Sequence, residues 1–354
     1  MSSKHVSWTI NGTNSTNTTD TAPDAGWNPL NTFGLFGVVA GIICNVSVLA
    51  IFLSRRSLRN SFGVYVVNLL INETILALVY SPLTMPDAYY HVWVLGYDVC
   101  MFVNFVGYTY ETLIIWAHFL IAVNRIWALS FPFSYRTDHS TKVAVLLCGS
   151  LWLAMNVVYI PVTLLTASLN PGSFPNTWSC DIDTTGILFV FTEIGLFVTP
   201  MVLVIVSYPY VCYKSFFSKR KQRIFPQSLA VASYAHGQQD FQPSRISGGT
   251  VATITNPGAG AKKVKRHRIC GRELNGSLTG FVTLTLMTLS VAICLLPKEA
   301  FFTYLIWAES EPPGVLDVAD ILQRLTTLFD PILIVLANTE IRKMLYRQCR
   351  RTLQ

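Results

Sequence analysis

From Phe33 to Leu53 the chain runs for about 20 residues without a charge, and at ~1.5 Å of rise per residue such a helix crosses a ~30 Å hydrocarbon layer. The pattern recurs. Comparable apolar runs occupy about 62–86, 99–123, 143–167, 186–213, 278–308 and 316–337, which makes seven spans. A chain of 354 residues could hold two water-soluble domains, but a composition of 51% hydrophobic against 13% charged residues excludes that reading. The seventh run is interrupted by Asp317, Asp320, Arg324 and Asp330. Isolated in lipid it would be costly, so it is expected to face a protein interior. The fold class is all-α, a seven-transmembrane helix bundle with a short amphipathic helix after the seventh span.

The cations fall on one side. Arg55, Arg56 and Arg59 follow span one, Arg136 and Lys142 follow span three, the densest cluster lies in 214–272, and Arg342, Lys343, Arg347, Arg350 and Arg351 follow span seven. The alternate loops, about 87–98, 168–185 and 309–315, contain neither Lys nor Arg. This asymmetry predicts an N-terminus outside and a C-terminus in the cytosol, as a multi-pass protein of the plasma membrane. The sequons at Asn11, Asn14 and Asn17 agree, since glycans are attached on the lumenal side. Those at Asn45 and Asn72 lie inside spans and that at Asn275 in the cytosol, so they are discounted. Met1–Trp27 lacks a continuous apolar stretch; no cleaved signal peptide is expected, and span one serves as the insertion signal. The net charge of +7 is then largely topological and suits anionic inner-leaflet lipid better than nucleic acid.

Residues 1–32, rich in Thr, Asn and Ser, read as a glycosylated extracellular tail, and 33–338 as the membrane domain. Lys219 to Gly260 has the composition of a flexible loop and leads into the basic run Lys262–Arg272. That run is read as a solvated, lipid-facing extension of span six, compatible with a docking surface. In 339–354, Ile341, Met344 and Leu345 share one face among basic residues, as in a helix lying on a membrane surface. Cys349 there is a candidate for palmitoylation. No phosphate-binding glycine loop, zinc-ligand spacing or nucleophile elbow occurs, so nothing supports an enzyme.

Several residues can be matched in order to one family. Asn45 stands in span one, Asn68–Glu73 reads NLLINE, and Trp93, Gly96 and Cys100 precede span three. Arg125 follows Cys100 by 25 residues; Trp152 lies in span four, Pro200 and Tyr208 in span five, Cys294 and Pro297 in span six, and Asp330-Pro331 in span seven. Over roughly 300 residues the chain resembles the rhodopsin-like (class A) G-protein-coupled receptors. It departs from them too. Asn124 replaces the acid of the DRY motif, Leu295 the Trp of CWxP, Val291 an aromatic, and Ile334 the Tyr of NPxxY.

The resemblance implies a Cys100–Cys180 disulfide, an extracellular ligand and a heterotrimeric G protein as partner. Coupling and activation would involve Asn124, Arg125, Tyr208, Pro297, Asp330 and Pro331, with span six pivoting near Pro297. Asn124 cannot hold Arg125 by charge, and neither can Ser277 near the inner end of span six. Loss of that latch favours ligand-independent signalling, whereas Ile334 removes a hydroxyl that would meet Tyr208, so the two changes oppose one another. A Phe-Pro-Phe-Ser-Tyr turn, 131–135, follows span three. Asn45, Glu73 and Asp330 correspond to a sodium-binding pocket in the family, where Ile114 replaces the usual serine; a sodium ion or a shared proton would ease two buried carboxylates.

Higher in the spans lie the candidate ligand residues Glu111, Glu193, Lys298, Glu299, Asp320 and Arg324, with Tyr89, Tyr90, Trp93, Trp178, Tyr304 and Trp307 around the mouth. Four acids against two bases favour a cationic ligand, unless Glu–Lys and Asp–Arg pairs simply close the pocket. Gly107 stands where aminergic receptors carry an aspartate, and Arg324 where opsins carry the retinal lysine, and a guanidinium cannot form a Schiff base. A short peptide with a basic group fits these residues best. Two other readings stay open: a transporter using the intramembrane charges as a relay, and a decoy receptor that binds without coupling.

Overall fold

The computed structural model describes residues 26, 29–90, 92–169, 180, 187–224, 282, 285–307, 312 and 314–352, all-helical wherever an element is assigned. Seven long helices follow in order: α1 (Pro29–Ser54), α2 (Ser61–Tyr90), α3 (Tyr97–Ser130), α4 (Thr141–Leu169), α5 (187–224), α6 (Thr285–Trp307) and α7 (Val315–Ala337). The amphipathic α8 (Thr339–Thr352) comes last. Asn11, Asn14, Asn17, Trp178, Ser277 and Lys262–Arg272 lie outside the described residues, as does the side chain of Cys349.

Six of the helices, α1 to α6, are long and apolar enough to cross a membrane. The seventh is not among them, because its acids and Arg324 interrupt the apolar sequence. It is held by neighbours instead. α1 and α6 pack along α7, and α3 runs through the centre against α2, α4, α5 and α6. Leu69, Leu70, Leu113, Ile115, Ile121 and Met201 are fully buried there. Phe36, Leu146, Leu153 and Phe191 are exposed on the outside, where water would penalise them and lipid does not.

The helix ends follow local chemistry. The Asn60 side chain caps α2, accepting from Gly63 N at 2.8 Å. Gly96, at φ +82°, turns the chain into α3. Between α7 and α8 the chain breaks at Asn338, whose Oδ1 accepts from Glu340 N (3.0 Å) and Ile341 N (3.3 Å). Ile341 is then fully buried against the bundle, with Met344 and Leu345 beside it.

Three widened, π-helical turns interrupt the spans: Leu76–Tyr80, Glu193–Val198 and Val291–Leu295. Each ends two residues before a proline, Pro82, Pro200 or Pro297. A proline has no N–H to give the preceding turn and its ring crowds the carbonyl there, so widening that turn relieves both defects.

Two sequence expectations are corrected. The 131–135 turn is the start of a short helix, Pro132–Asp138, because Pro132 at the first helical position needs no N–H partner. α5 continues to Ile224, into the stretch expected to be a flexible loop; Lys219, Arg220, Lys221, Gln222 and Arg223 are good helix formers and extend it by propensity.

Candidate functional site

At one end of the bundle Cys100, atop α3, is bonded to Cys180, with Cα atoms 5.7 Å apart. Asn104 Nδ2 lies 3.4 Å and 3.5 Å from the two sulfurs. Trp93, expected among the aromatics at the mouth, is instead buried under this bridge, and its Nε1 donates to Gly96 O at 2.8 Å. Tyr304 and Trp307 remain exposed.

Below the disulfide the expected ligand residues split into two groups. Lys298 on α6 lies 3.4 Å from Glu111 Oε1 on α3 and 3.2 Å from Asp320 Oδ1 on α7. One ammonium therefore ties three helices. Of the two pairs that could have closed the pocket, Glu–Lys forms and Asp–Arg does not: Asp320 turns to Lys298, and Arg324 has no ion pair among the described residues. Glu111, Lys298, Asp320, Gln323 and Arg324 line a cavity between α1, α2, α3, α6 and α7. Its charge is balanced, two acids with two bases. The further acids, Glu193 and Glu299, are buried outside the cavity lining and interact with one another and with Lys298. Oε1 of Glu193 has no hydrogen-bond partner among the described residues.

Gly107 has a steric reason to be glycine. A Cβ there would lie 2.8 Å from Cε2 of Tyr80, so the tyrosine ring fills the space an acidic side chain would need. Close approach also matters at Gly41, where a Cβ would meet the backbone of Thr327 at 3.0 Å. That contact brings α1 near enough to α7 for Asn45 Nδ2 to donate to Thr327 O at 2.6 Å.

In the middle of the bundle Glu73, Asn45 and Asp330 converge as expected, all fully buried. The sequence reading missed two members of this layer. His118 on α3 places Nε2 2.8 Å from Asp330 Oδ2, and Ser290 on α6 donates to Asp330 Oδ1 at 2.6 Å. A signal for His118 was present: it is an ionisable residue inside an apolar span, one turn beyond Ile114.

At the other end Arg125 is not latched by charge. Its guanidinium carbon sits 3.4 Å over the ring of Phe62 on α2, a cation–π contact worth about 0.5–2 kcal/mol depending on desolvation. Asn124 is engaged elsewhere. Its Nδ2 lies 3.1 Å from His139 Nε2, and its Oδ1 accepts from Tyr135 Oη at 3.3 Å. Tyr65 Oη approaches the same Nε2 at 3.0 Å. Two donors converging on Nε2 suit a neutral imidazole protonated on Nδ1, and burial holds the His139 pKa below its ordinary value. Tyr208, half-buried on α5, has no hydrogen-bond partner among the described residues. Pro297 follows the widened turn of α6, and Pro331 is buried inside α7.

A family model for the 7 transmembrane receptor (rhodopsin family) matches residues 44–333. Among similar proteins, the rhodopsin of Camponotus atriceps is 25% identical over 240 residues, 65% of this chain and 62% of that protein. The histamine H4 receptor of Mus musculus is 23% identical over 251 residues, 70% of this chain and 62% of that receptor. The 5-hydroxytryptamine receptor 1A of Xenopus laevis is 25% identical over 182 residues, 51% and 44% respectively. The chain spans less than two thirds of the length of these curated relatives.

Proposed function

Because the chain belongs to the rhodopsin family of seven-transmembrane receptors, we propose that it is a plasma-membrane receptor for a cationic extracellular ligand and that it activates a heterotrimeric G protein. Its N-terminus is outside and the Arg125 end faces the cytosol. The family is one of signalling receptors, not enzymes.

The observation that carries this reading is the single ammonium of Lys298 shared by Glu111 and Asp320. A ligand cation entering between these groups competes with Lys298 for both carboxylates. It thereby loosens α6 from α3 and α7, and the widened turn before Pro297 gives α6 a place to bend. Motion of α6 relative to α3 then opens the Arg125 end to the G protein. The acid pair Glu193–Glu299 offers a second seat for positive charge, since two buried carboxyls are costly to keep side by side without a counter-charge.

Two of the similar receptors are named for amines, histamine and 5-hydroxytryptamine. Here Tyr80 against Gly107 leaves no room for an aspartate at the aminergic position, and Arg324 at the retinal-lysine position forms no Schiff base. Arg324, with no ion pair among the described residues, instead offers its guanidinium to a carboxylate. A short peptide carries both an ammonium and a carboxylate, and it is the ligand class this arrangement suits.

The test is G-protein activation in membranes expressing the receptor, challenged with a library of basic peptides and monoamines. Peptide-dependent nucleotide exchange that is lost in Glu193→Gln supports the reading. Activation by light with retinal, by monoamines alone, or by nothing in the library despite ligand binding overturns it.

A further inference from the structure

We propose that His139 is a proton switch in the connection between α3 and α4: on taking up a proton its ring leaves an aromatic cage and frees the short helix Pro132–Asp138 from α3. The inference is independent of the ligand, because every group it uses lies at the Arg125 end. His139 directly follows that helix and is buried, although it belongs to a connection between helices. Three rings enclose it. Tyr135 stacks on the imidazole with centroids 4.6 Å apart, Tyr65 stacks at 5.8 Å, and Trp127 meets it edge-on at 5.2 Å. These rings come from the short helix, α2 and α3, so the imidazole pins three elements together.

The hydrogen bonds fix what a proton does. Nε2 of His139 accepts from Asn124 Nδ2 at 3.1 Å and lies 3.0 Å from Tyr65 Oη. Tyr135 orients the amide for this, its Oη donating to Asn124 Oδ1 at 3.3 Å. Both contacts use the one lone pair that a neutral ring offers at Nε2, so an arriving proton occupies it and sets a third donor against two. Turning the Asn124 amide over relieves that conflict, but it breaks the donation from Tyr135 and leaves a charged ring in a buried site. Nδ1 has no hydrogen-bond partner among the described residues. The neutral ring thus keeps a buried donor unsatisfied, and it gains a partner by moving to water.

No carboxylate is placed to hold an imidazolium in the cage. Asp138, its neighbour in the chain, accepts from Ser134 Oγ at 2.8 Å. The other titratable or charged groups around the ring are Tyr65 from α2, with Cys148 of α4 behind it, Tyr135 from the short helix, and Arg125 beside Asn124 on α3. Arg136 and Lys142 nearby are exposed. All of these are neutral or cationic near pH 7, so none offsets a new positive charge. The stacked tyrosines attract a cation weakly, and burial outweighs them, holding the pKa of this ring below its ordinary value. When the ring leaves, Tyr135 loses its stacking partner and Asn124 its acceptor, which weakens the attachment of the short helix beside Arg125. On the orientation proposed above this end meets the cytosol, so cytosolic acidification would release that helix.

Hydrogen–deuterium exchange of the purified full-length receptor, read on the segment 132–139, tests this. Comparing wild type with His139→Gln at the same pH removes the pH dependence of chemical exchange itself. Between about pH 7.5 and about pH 5.5, on either side of the ordinary histidine value, the wild-type segment should lose protection at least about fivefold relative to His139→Gln. Tyr65→Phe removes a bond made to the neutral ring, so release in that variant should begin at higher pH. Equal exchange in wild type and His139→Gln across this range, or release in Tyr65→Phe at the same or lower pH, would overturn the switch. Should His139→Gln not fold, the release midpoint of Tyr65→Phe against that of wild type decides.

Discussion

The two ends of this bundle hold their cations by different physics. Near the disulfide, Lys298 is shared by Glu111 and Asp320, so three helices meet at one ion-paired point. At the opposite end Arg125 meets no acid among the described residues and lies against the ring of Phe62, while Asn124 bonds His139 and Tyr135. An ion pair in a half-dry cavity is strong and depends on a partner of opposite charge. A cation–π contact is weaker and leaves the charge available. On the proposed reading, the first end would be broken by a competing ion, and the second would release an arginine at small cost.

The largest expected effect breaks the first end. Lys298→Met leaves Glu111, 10% exposed, without its cation, and removing one member of a buried pair costs about 3–5 kcal/mol. Thermal unfolding of the purified receptor should show a large drop, with Lys298→Arg recovering most of it. An unchanged unfolding temperature would mean that Lys298 is no tie. Next, Phe62→Leu keeps the bulk but removes the aromatic face under Arg125; at about 1–2 kcal/mol, basal nucleotide exchange should rise roughly five- to thirtyfold.

Asn124→Asp tests the same end from the other direction. Placing a carboxylate beside Arg125 restores a charge latch of about 1 kcal/mol, so basal exchange should fall roughly fivefold. No change would show that charge is irrelevant there. Asp320→Asn should cost under about 1 kcal/mol, because Asp320 is 36% exposed and Lys298 keeps Glu111. That small loss beside the large one at Lys298 would show which pair carries the tie.

The smallest effect is a pH dependence at the Arg125 end. Burial lowers the His139 pKa, so the unfolded chain binds a proton first as pH falls. Stability is fully present above about 6.5, the unfolded value, and is lost as pH falls below it toward the lower folded value. His139→Gln should flatten the unfolding-temperature profile over that range.

Much of this architecture is legible in the order and spacing of residues along the chain. Arg125, Pro297 and Asp330 can be placed that way, and the Cys100–Cys180 bridge and the amphipathic face of Ile341 stand where they are expected. The partners are less legible. An Asp–Arg pair on span seven was open from the sequence, yet Asp320 reaches across to Lys298 on α6. His118 looks like one more residue of an apolar run until α7 brings Asp330 against it. Phe62 carries no sign in its own neighbourhood that a cation will rest on it.

What the sequence determined by itself is the set of seven spans and the side on which cations gather, because crossing lipid demands long apolar runs and leaves charges at the ends. Which charge meets which was decided only by tertiary packing. Periodicity tells which face of a helix a residue occupies, but the rotation and approach of the neighbouring helix, set here by contacts as small as Gly41 against Thr327, choose its partner.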